Sequence, residues 1–216
     1  TPPTPGRTNS VFATNAAPNL RQVDHTPAQP ASTNQVTITC KVTDPEGVSN
    51  VVLAFQVVLP GGFIPATLPL PGAQLNTTNP NLTNTLNPVF EAATNWTSVP
   101  MHDDGLNGDA VAGDNIYAVV LPQQADRVLV RYRITVTDTR GAARRAPFED
   151  DPSLNFAYFV YDGVPAYQGF SPAVLQTLPV YSMITRDVDM AQCTAWFNSA
   201  DQLPQGSGSG RNEGRL

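Results

Sequence analysis

The segment QVTITCKVT at residues 35–43 has the clearest periodicity in the chain. Threonines, one lysine and one glutamine occupy every second position, and small apolar residues occupy the positions between them: Val36, Ile38, Cys40 and Val42. Because successive side chains of a β-strand point to opposite faces, this alternation predicts an antiparallel strand that is buried on one side only. A period of two residues does not fit a helix, so this segment decides the fold class.

Similar alternation occurs on both sides of this segment. The other strand candidates are residues 20–26, 48–59, 115–121, 128–137, 154–161 and the short apolar run 179–185. About seven strands joined by Gly-, Pro- and Asn-rich turns are typical of a sandwich. We therefore predict an all-β fold, an immunoglobulin-like or fibronectin III-like antiparallel β-sandwich with a short C-terminal strand-helix appendage. The helix is expected at 187–198, with Asp187 as its cap.

Composition divides the chain into three parts. Residues 1–19 are rich in Pro, Thr and Asn without an apolar period, which predicts an extended leader. Residues 20–165 hold the predicted sandwich, interrupted at 72–95 by a long insertion that is a candidate contact surface. Residues 166–216 are interpreted as a linker and the start of a following domain, and they finish in the Gly- and Ser-rich sequence GSGSGRNEGRL.

Charge and composition exclude several function classes. The chain has 18 acidic and 12 basic residues, for a net charge of -6. Nucleic acids and anionic membranes attract clustered cations, so neither is an expected partner. No stretch approaches the roughly 18 apolar residues of a membrane span. Two cysteines are too few for a disulfide framework. Cys40 and Cys193 could pair across the fold; the alternative is that Cys40, on the apolar side of its strand, is a small buried hydrophobic residue.

An acidic segment, MHDDGLNGDAVAGDNIY, occupies residues 101–117. Asp and Asn bond to nearby backbone and Gly permits positive φ, so this composition predicts a compact, structured loop. Five side chains offer the oxygen ligands that calcium prefers: Asp103, Asp104, Asn107, Asp109 and Asp114. Counting from Asp103 gives an EF-hand-like register with Gly108 sixth and Asp114 twelfth, although Glu is usual at the twelfth position. The alternative is that the four aspartates cap turns.

The remaining candidates are weaker. Four arginines could form an anion-binding patch or pair with neighbouring acids: Arg131, Arg133, Arg144 and Arg145. Four aromatic residues could stack on sugars: Trp96, Tyr158, Phe159 and Tyr161. Tyr132 is a loose candidate for a tyrosine corner. His25 and His102 lie in loop contexts without a nucleophile-elbow pattern, so no catalytic constellation is predicted and we expect no enzyme activity.

Two sets of motifs resemble known families. DDGLNGDAVAGDNIY at 103–117 resembles the Asp-Asp-Gly, Gly-Asp, Gly-Asp, Tyr signature of surface β-sandwich domains in secreted bacterial proteins and of calcium-activated chloride channel regulators. VRYRITVTDTRG at 130–141, FAYFVYDGVPAY at 156–167 and LPVYSMITRDVD at 178–189 resemble the region that precedes and enters the kinase-like domain of bacterial CotH family proteins. The resemblance covers about residues 20–200.

The CotH resemblance implies a location and a role. Catalytic residues of that family belong to a domain that would follow residue 216, so this piece is expected to be a non-catalytic accessory module. It would present or brace the adjacent domain of the same parent protein, secreted or on the surface of the bacterial envelope. Two rivals remain: an adhesion module that binds surface proteins or polysaccharide, and a structural subunit of a larger surface assembly.

Overall fold

A computed structural model describes residues 14–68, 85–191 and 194. In this part of the chain the strands are β1 (Asn19–Thr26), β2 (Val36–Thr43), β3 (Val48–Val58), β4 (Thr97–Pro100), β5 (Ile116–Leu121), β6 (Leu129–Asp138), β7 (Ala143–Ala146) and β8 (Phe156–Phe159). The short helices are α1 (Pro88–Glu91), which a 3-10 turn at Ala93–Asn95 follows, and α2 (Pro172–Leu175), and a further helical stretch is described at 187–191. The regular structure of the described residues is therefore mostly β-strand, as the alternation predicted.

The strands form two antiparallel sheets. One sheet has the order β1-β2-β5. The other has the order β4-β3-β6, and both β7 and β8 pair with the far edge of β6. β8 pairs with the first half of β6 and β7 with the second half, so two short strands share one long edge.

The core lies between the two sheets. Side chains of β2 alternate between buried and half-buried along its whole length. They join one cluster with inward side chains of β3 and β6, which include Leu53, Val130, Tyr132, Ile134 and Val136. Full burial of an aliphatic side chain contributes roughly 1.5–3 kcal/mol relative to exposure. This shared interior is what holds the two sheets together.

His25 closes one end of the core. Its Nδ1 lies 3.0 Å from the Tyr132 hydroxyl and its Nε2 lies 3.2 Å from the Ala28 carbonyl oxygen. A carbonyl can only accept, so Nε2 is the donor in the hydrogen bond to Ala28. Tyr132 therefore bonds across the molecule to β1, not to nearby backbone as a tyrosine corner would.

Six of the strands predicted from the periodicity are confirmed: β1, β2, β3, β5, β6 and β8. β4 and β7 were not predicted, because their sequences, TSVP and ARRA, have no alternation of apolar and polar residues. β7 was interpreted as part of a polar loop. The strand expected at 179–185 was wrong. Those residues form no ladder, and the nearest bridge joins Arg186 to Gly61 and Gly62.

Several other expectations fall wholly or partly outside the described residues, including residues 1–13 of the leader and 72–84 of the insertion. Part of the leader contacts the sheets, since Asn15 Nδ2 donates to Asp138 at 2.7 Å. The predicted helix is present at 187–191, after Arg186, so Asp187 lies in its first turn and does not cap it.

Cys40 is fully buried, and burial raises the pKa of its thiol to about 12, whereas its possible partner Cys193 lies outside the described residues. The described helices are all too short or too polar to cross a bilayer.

Candidate functional site

The acidic segment begins where the chain crosses from one sheet to the other. The Met101 N–H donates to the Val51 carbonyl of β3 at 2.9 Å. One residue later, His102 exchanges two backbone hydrogen bonds, of 3.0 and 2.8 Å, with Ala118 of β5. Met101 is 3% exposed and packs in the core. The loop at 103–115 is thus anchored at its start to both sheets.

Asp103 closes this loop through contacts to backbone 10 to 12 residues ahead, and Asp109 bonds to backbone four residues behind it and two residues ahead. Asp103 accepts hydrogen bonds from the N–H groups of Gly113 (2.6 Å), Asp114 (3.2 Å) and Asn115 (2.9 Å). Asp109, which is 7% exposed, accepts from the Gly105 N–H at 2.6 Å and from a second N–H at 3.3 Å. Hydrogen bonds to charged acceptors are stronger than neutral ones, so these carboxylates stabilise the loop directly.

Asp104 and Asp114 make shorter-range turns. The Asp104 side chain accepts from the Leu106 N–H at 2.9 Å, and the Asp114 side chain accepts from the Ile116 N–H at 2.8 Å. Both are Asx turns, in which a side chain bonds to backbone two residues ahead. The interpretation as turn caps is supported for Asp104, Asp109 and Asp114, each of which bonds to backbone two residues ahead. Asp103 instead bonds to backbone 10 to 12 residues ahead.

Three of the five predicted calcium ligands also lie close together in the structure. One oxygen each from Asp103, Asp109 and Asp114 can lie within 4.8 Å of the others, whereas Asp104 is outside this group. Asn107 is exposed and has a φ of 51°, which is a turn conformation. A carboxylate has about four lone-pair sites, so these oxygens retain capacity beyond the backbone donors. Calcium takes about six to eight oxygen ligands, of which this group would supply at least three.

Gly108 fixes the loop against the outer face of the three-stranded sheet. Its φ is +97°, and an added Cβ would lie 2.6 Å from Cγ2 of Thr37 and 3.0 Å from Cγ2 of Val120. Thr37 and Val120 are a cross-strand pair of β2 and β5. Gly113 also has a positive φ, of +79°, but no atom lies within 4 Å of its added Cβ. Gly108 is thus required both by its backbone conformation and by its close contact with the sheet, whereas Gly113 is required by its backbone conformation alone.

A polar cleft of about 320 Å³ adjoins the loop. Its walls come from the start of β3, from residues 100–104 and from Tyr117. Burial, and then the charge of Asp103, raise the pKa of the Tyr117 hydroxyl. His102 is exposed.

Arg131 and Arg133 do not form the predicted anion patch. They do share the outward face of β6, but they are 3% and 7% exposed because residues within 61–68 and 85–96 cover that face. Arg133 makes two hydrogen bonds of 2.8 Å to the Glu91 carboxylate. Its guanidinium carbon lies 4.1 Å from the Trp96 ring centroid. Arg144 lies elsewhere, over the Phe148 ring.

The same covering segment holds Arg131. Its Nη1 donates to the Ile64 carbonyl at 2.7 Å, and its guanidinium carbon lies 4.4 Å from the Phe63 ring centroid. Burial, and secondly the charge of Arg133, lower the pKa of Arg131 to about 10. Phe90 is fully buried beneath both arginines, and Trp96 donates from Nε1 to its carbonyl at 2.8 Å.

We call Arg131, Arg133, Glu91 and the rings of Phe63, Phe90 and Trp96 the arginine face. Sequence reasoning missed it because its covering residues follow no period. The signal that could have found it is the group of apolar residues and one acid in PVFEAATNW at 88–96, of which all but Trp96 falls in the segment interpreted as an insertion.

Comparisons with known proteins bring no further constraint. No family model matches the chain, and no curated protein matches it.

Replacing Gly108 by Ala is expected to destabilise the protein more than replacing Gly113 by Ala. Both substitutions carry the cost of a left-handed backbone, about 1–2 kcal/mol. Gly108→Ala adds a clash with Thr37 and Val120, which costs roughly a further 1–3 kcal/mol. Denaturant unfolding of both variants measures the difference. Equal losses would show that the loop does not press on the sheet.

Glu91→Gln is expected to lower stability at neutral pH by about 1–3 kcal/mol, because it weakens a charge-assisted contact to buried Arg133. The Arg133 hydrogen bond keeps the pKa of Glu91 below its usual 4.5 in the folded protein. The stabilisation is therefore complete above about pH 4.5 and is lost as the pH falls through the folded pKa. Between about pH 2 and 7 the free energy of unfolding should change less with pH for Glu91→Gln than for the wild type. Glu149→Gln, at an exposed position, should follow the wild type.

Proposed function

We propose that this chain is a non-catalytic accessory module with an immunoglobulin-like or fibronectin III-like sandwich. It presents or braces an adjacent CotH-like domain of the same parent protein, secreted or at the surface of a bacterial envelope. The role comes from the sequence resemblance at 130–141, 156–167 and 178–189. The contacts at the end of the last strand support it.

The strand order supports the sandwich fold that this proposal includes. With β1, β2, β3, β5 and β6 taken as strands A, B, C, E and F, one sheet has the order A-B-E. The other pairs C with F and has its last strands beside F. Immunoglobulin-like domains divide their strands between two sheets in this way.

The observation that carries the bracing role is the set of contacts that holds the chain as it leaves β8. Asp162 accepts hydrogen bonds from the backbone N–H (2.6 Å) and the hydroxyl (2.5 Å) of Ser32. The Asp162 N–H donates to the Asp126 carboxylate at 2.9 Å, and the Tyr161 N–H donates to the Pro30 carbonyl at 2.9 Å. We call Ser32, Asp126 and Asp162 the exit clamp.

The exit clamp fixes the direction in which the chain leaves the sheets. It joins the residues after β8 to two separate loops, β1–β2 and β5–β6. The hydrogen bonds from Ser32 lower the pKa of Asp162, which keeps this carboxylate ionised and able to accept. A linker whose first residues are held in place limits the orientations of the domain that follows. Without such contacts the two domains move independently.

The acidic loop acts in this proposal as a staple between the two sheets, with calcium as a candidate ligand of Asp103, Asp109 and Asp114. A cation there would neutralise three carboxylates whose oxygens lie close together. The rival adhesion role would need a stacking platform of exposed aromatics. Trp96, one residue predicted for it, is instead partly covered and stacked on Arg133.

The bracing role is tested in the parent protein, which holds this module and its neighbour. We expect both domains to share one rotational correlation time in ¹⁵N relaxation, and Asp162→Ala to separate the two values because the exit clamp opens. Asp150→Ala, at an exposed carboxylate, is the matched control. Independent tumbling of the wild-type domains, or a parent protein without a folded neighbour, would contradict the proposal.

Calcium binding predicts a rise in the melting midpoint at millimolar calcium relative to chelator. A ligand present at about 100 times its dissociation constant stabilises the native state by about 2.7 kcal/mol. Asp114→Asn should reduce the rise, since Asn keeps an acceptor for the Ile116 N–H but removes a charge from the group.

The control for calcium is Asp104→Asn, which alters an equivalent Asx turn outside the group and should keep the full rise. An unchanged wild-type midpoint would exclude a calcium site in the folded protein.

A further inference from the structure

The acidic loop contains a tight turn with Asn107 and Gly108 at its centre. The Asp109 N–H donates to the Leu106 carbonyl at 3.0 Å and closes the turn. Both central residues have a positive φ, of 51° for Asn107 and +97° for Gly108. Asn-Gly favours such turns, because Asn tolerates the left-handed backbone and Gly has no Cβ.

This pair is the single Asn-Gly dipeptide in the sequence. Asparagine is one of the thermolabile residues, since its side-chain amide can be lost when the next backbone nitrogen attacks it. A glycine in the next position leaves that nitrogen without steric protection and free to rotate. The dipeptide alone marks a possible reaction, and the surrounding structure decides whether the reacting groups are available.

Both reacting groups are available at this turn. Asn107 is exposed, and within the part of the chain that the structure describes neither its side chain nor the Gly108 N–H makes a hydrogen bond. The side chain and the attacking nitrogen are therefore not held apart by other contacts.

Asn115 provides a contrast within the same loop. It is also exposed and has a positive φ, of 68°. The next N–H, of Ile116, however donates to the Asp114 carboxylate at 2.8 Å, and the Ile116 side chain is branched at Cβ. The nitrogen that would attack Asn115 is thus both bonded and shielded.

We propose that Asn107 is a self-modification site, at which spontaneous deamidation releases the acidic loop from the sheet. The Gly108 nitrogen forms a bond to Cγ of Asn107, the bond from Cγ to Nδ2 breaks, and the proton of the Gly108 N–H leaves with Nδ2 as ammonia. The product is a five-membered succinimide. Water then opens either of its two carbonyls, which gives aspartate or isoaspartate at position 107.

The two products differ in the path of the main chain. Aspartate keeps the original backbone, whereas isoaspartate routes the backbone through Cβ and lengthens it by one carbon. Gly108 has no room for this change, since even an added Cβ would lie 2.6 Å from Cγ2 of Thr37. The Asp109 carboxylate also holds the Gly105 N–H at 2.6 Å across the turn. Isoaspartate therefore has to displace Gly108 from the sheet or open the turn.

Incubation of the chain at mildly alkaline pH with a chelator tests the site without interference from cations. Ion exchange should separate isoforms in which the net charge of -6 is one unit more negative. Fragment-ion mass spectrometry and labelling by an isoaspartyl methyltransferase locate the change. We expect a larger modified fraction at Asn107 than at Asn115. An unmodified Asn107, or equal fractions at the two positions, would overturn the proposal.

Asn107→Asp is the matched control for the effect on the loop, because it has the same charge as the isoaspartate isoform and the original backbone. The isoaspartate isoform should have a lower melting midpoint than Asn107→Asp. Equal midpoints would show that the longer backbone is accommodated and would overturn the release of the loop. Neither measurement depends on calcium or on an adjacent domain.

Discussion

Burial of both faces of β6 is the constraint on which the rest of the structure depends. Its inward side chains join the core between the sheets, and its outward side chains include two guanidinium groups. Charges removed from water are costly unless they are paired and hydrogen-bonded. Glu91 and the ring of Trp96 meet this need for Arg133. Arg131 has the Ile64 carbonyl and the ring of Phe63, while its Nη2 is buried with no hydrogen-bond partner among the described residues. The covering segment is therefore integral to the fold, although its sequence resembles a loop.

The sequence predicted the long strands because burial of one face leaves a two-residue period that can be read without neighbours. The same period correctly put Arg131 and Arg133 on the outward face. Their burial was not predictable, since it depends on Phe63 and Phe90, which lie in an aperiodic segment and come close only in the fold. β4 and β7 were missed for a related reason, because their partners, not their own residues, determine that they are strands.

The acidic loop likewise has some features that the sequence predicts and others that it does not. Its turns at Asp104 and Asp114 follow from local composition, since each side chain bonds to backbone two residues ahead. Asp103, however, reaches backbone groups 10 to 12 residues away, and no local pattern predicts that. Because the loop starts where Met101 and His102 contact different sheets, its closure and the packing of the sheets are coupled. The set of three clustered carboxylates is a product of this coupling.

The division of the outer edge of β6 between β7 and β8 has a consequence for behaviour in concentrated solution. Open strand edges are templates on which other chains pair and aggregate. On this side the exposed edge is two separate runs of four residues, and on the opposite side β4 is also four residues long and ends in a proline. Short, interrupted edges give an incoming strand few successive hydrogen bonds, so this sheet is protected from growing into a fibril.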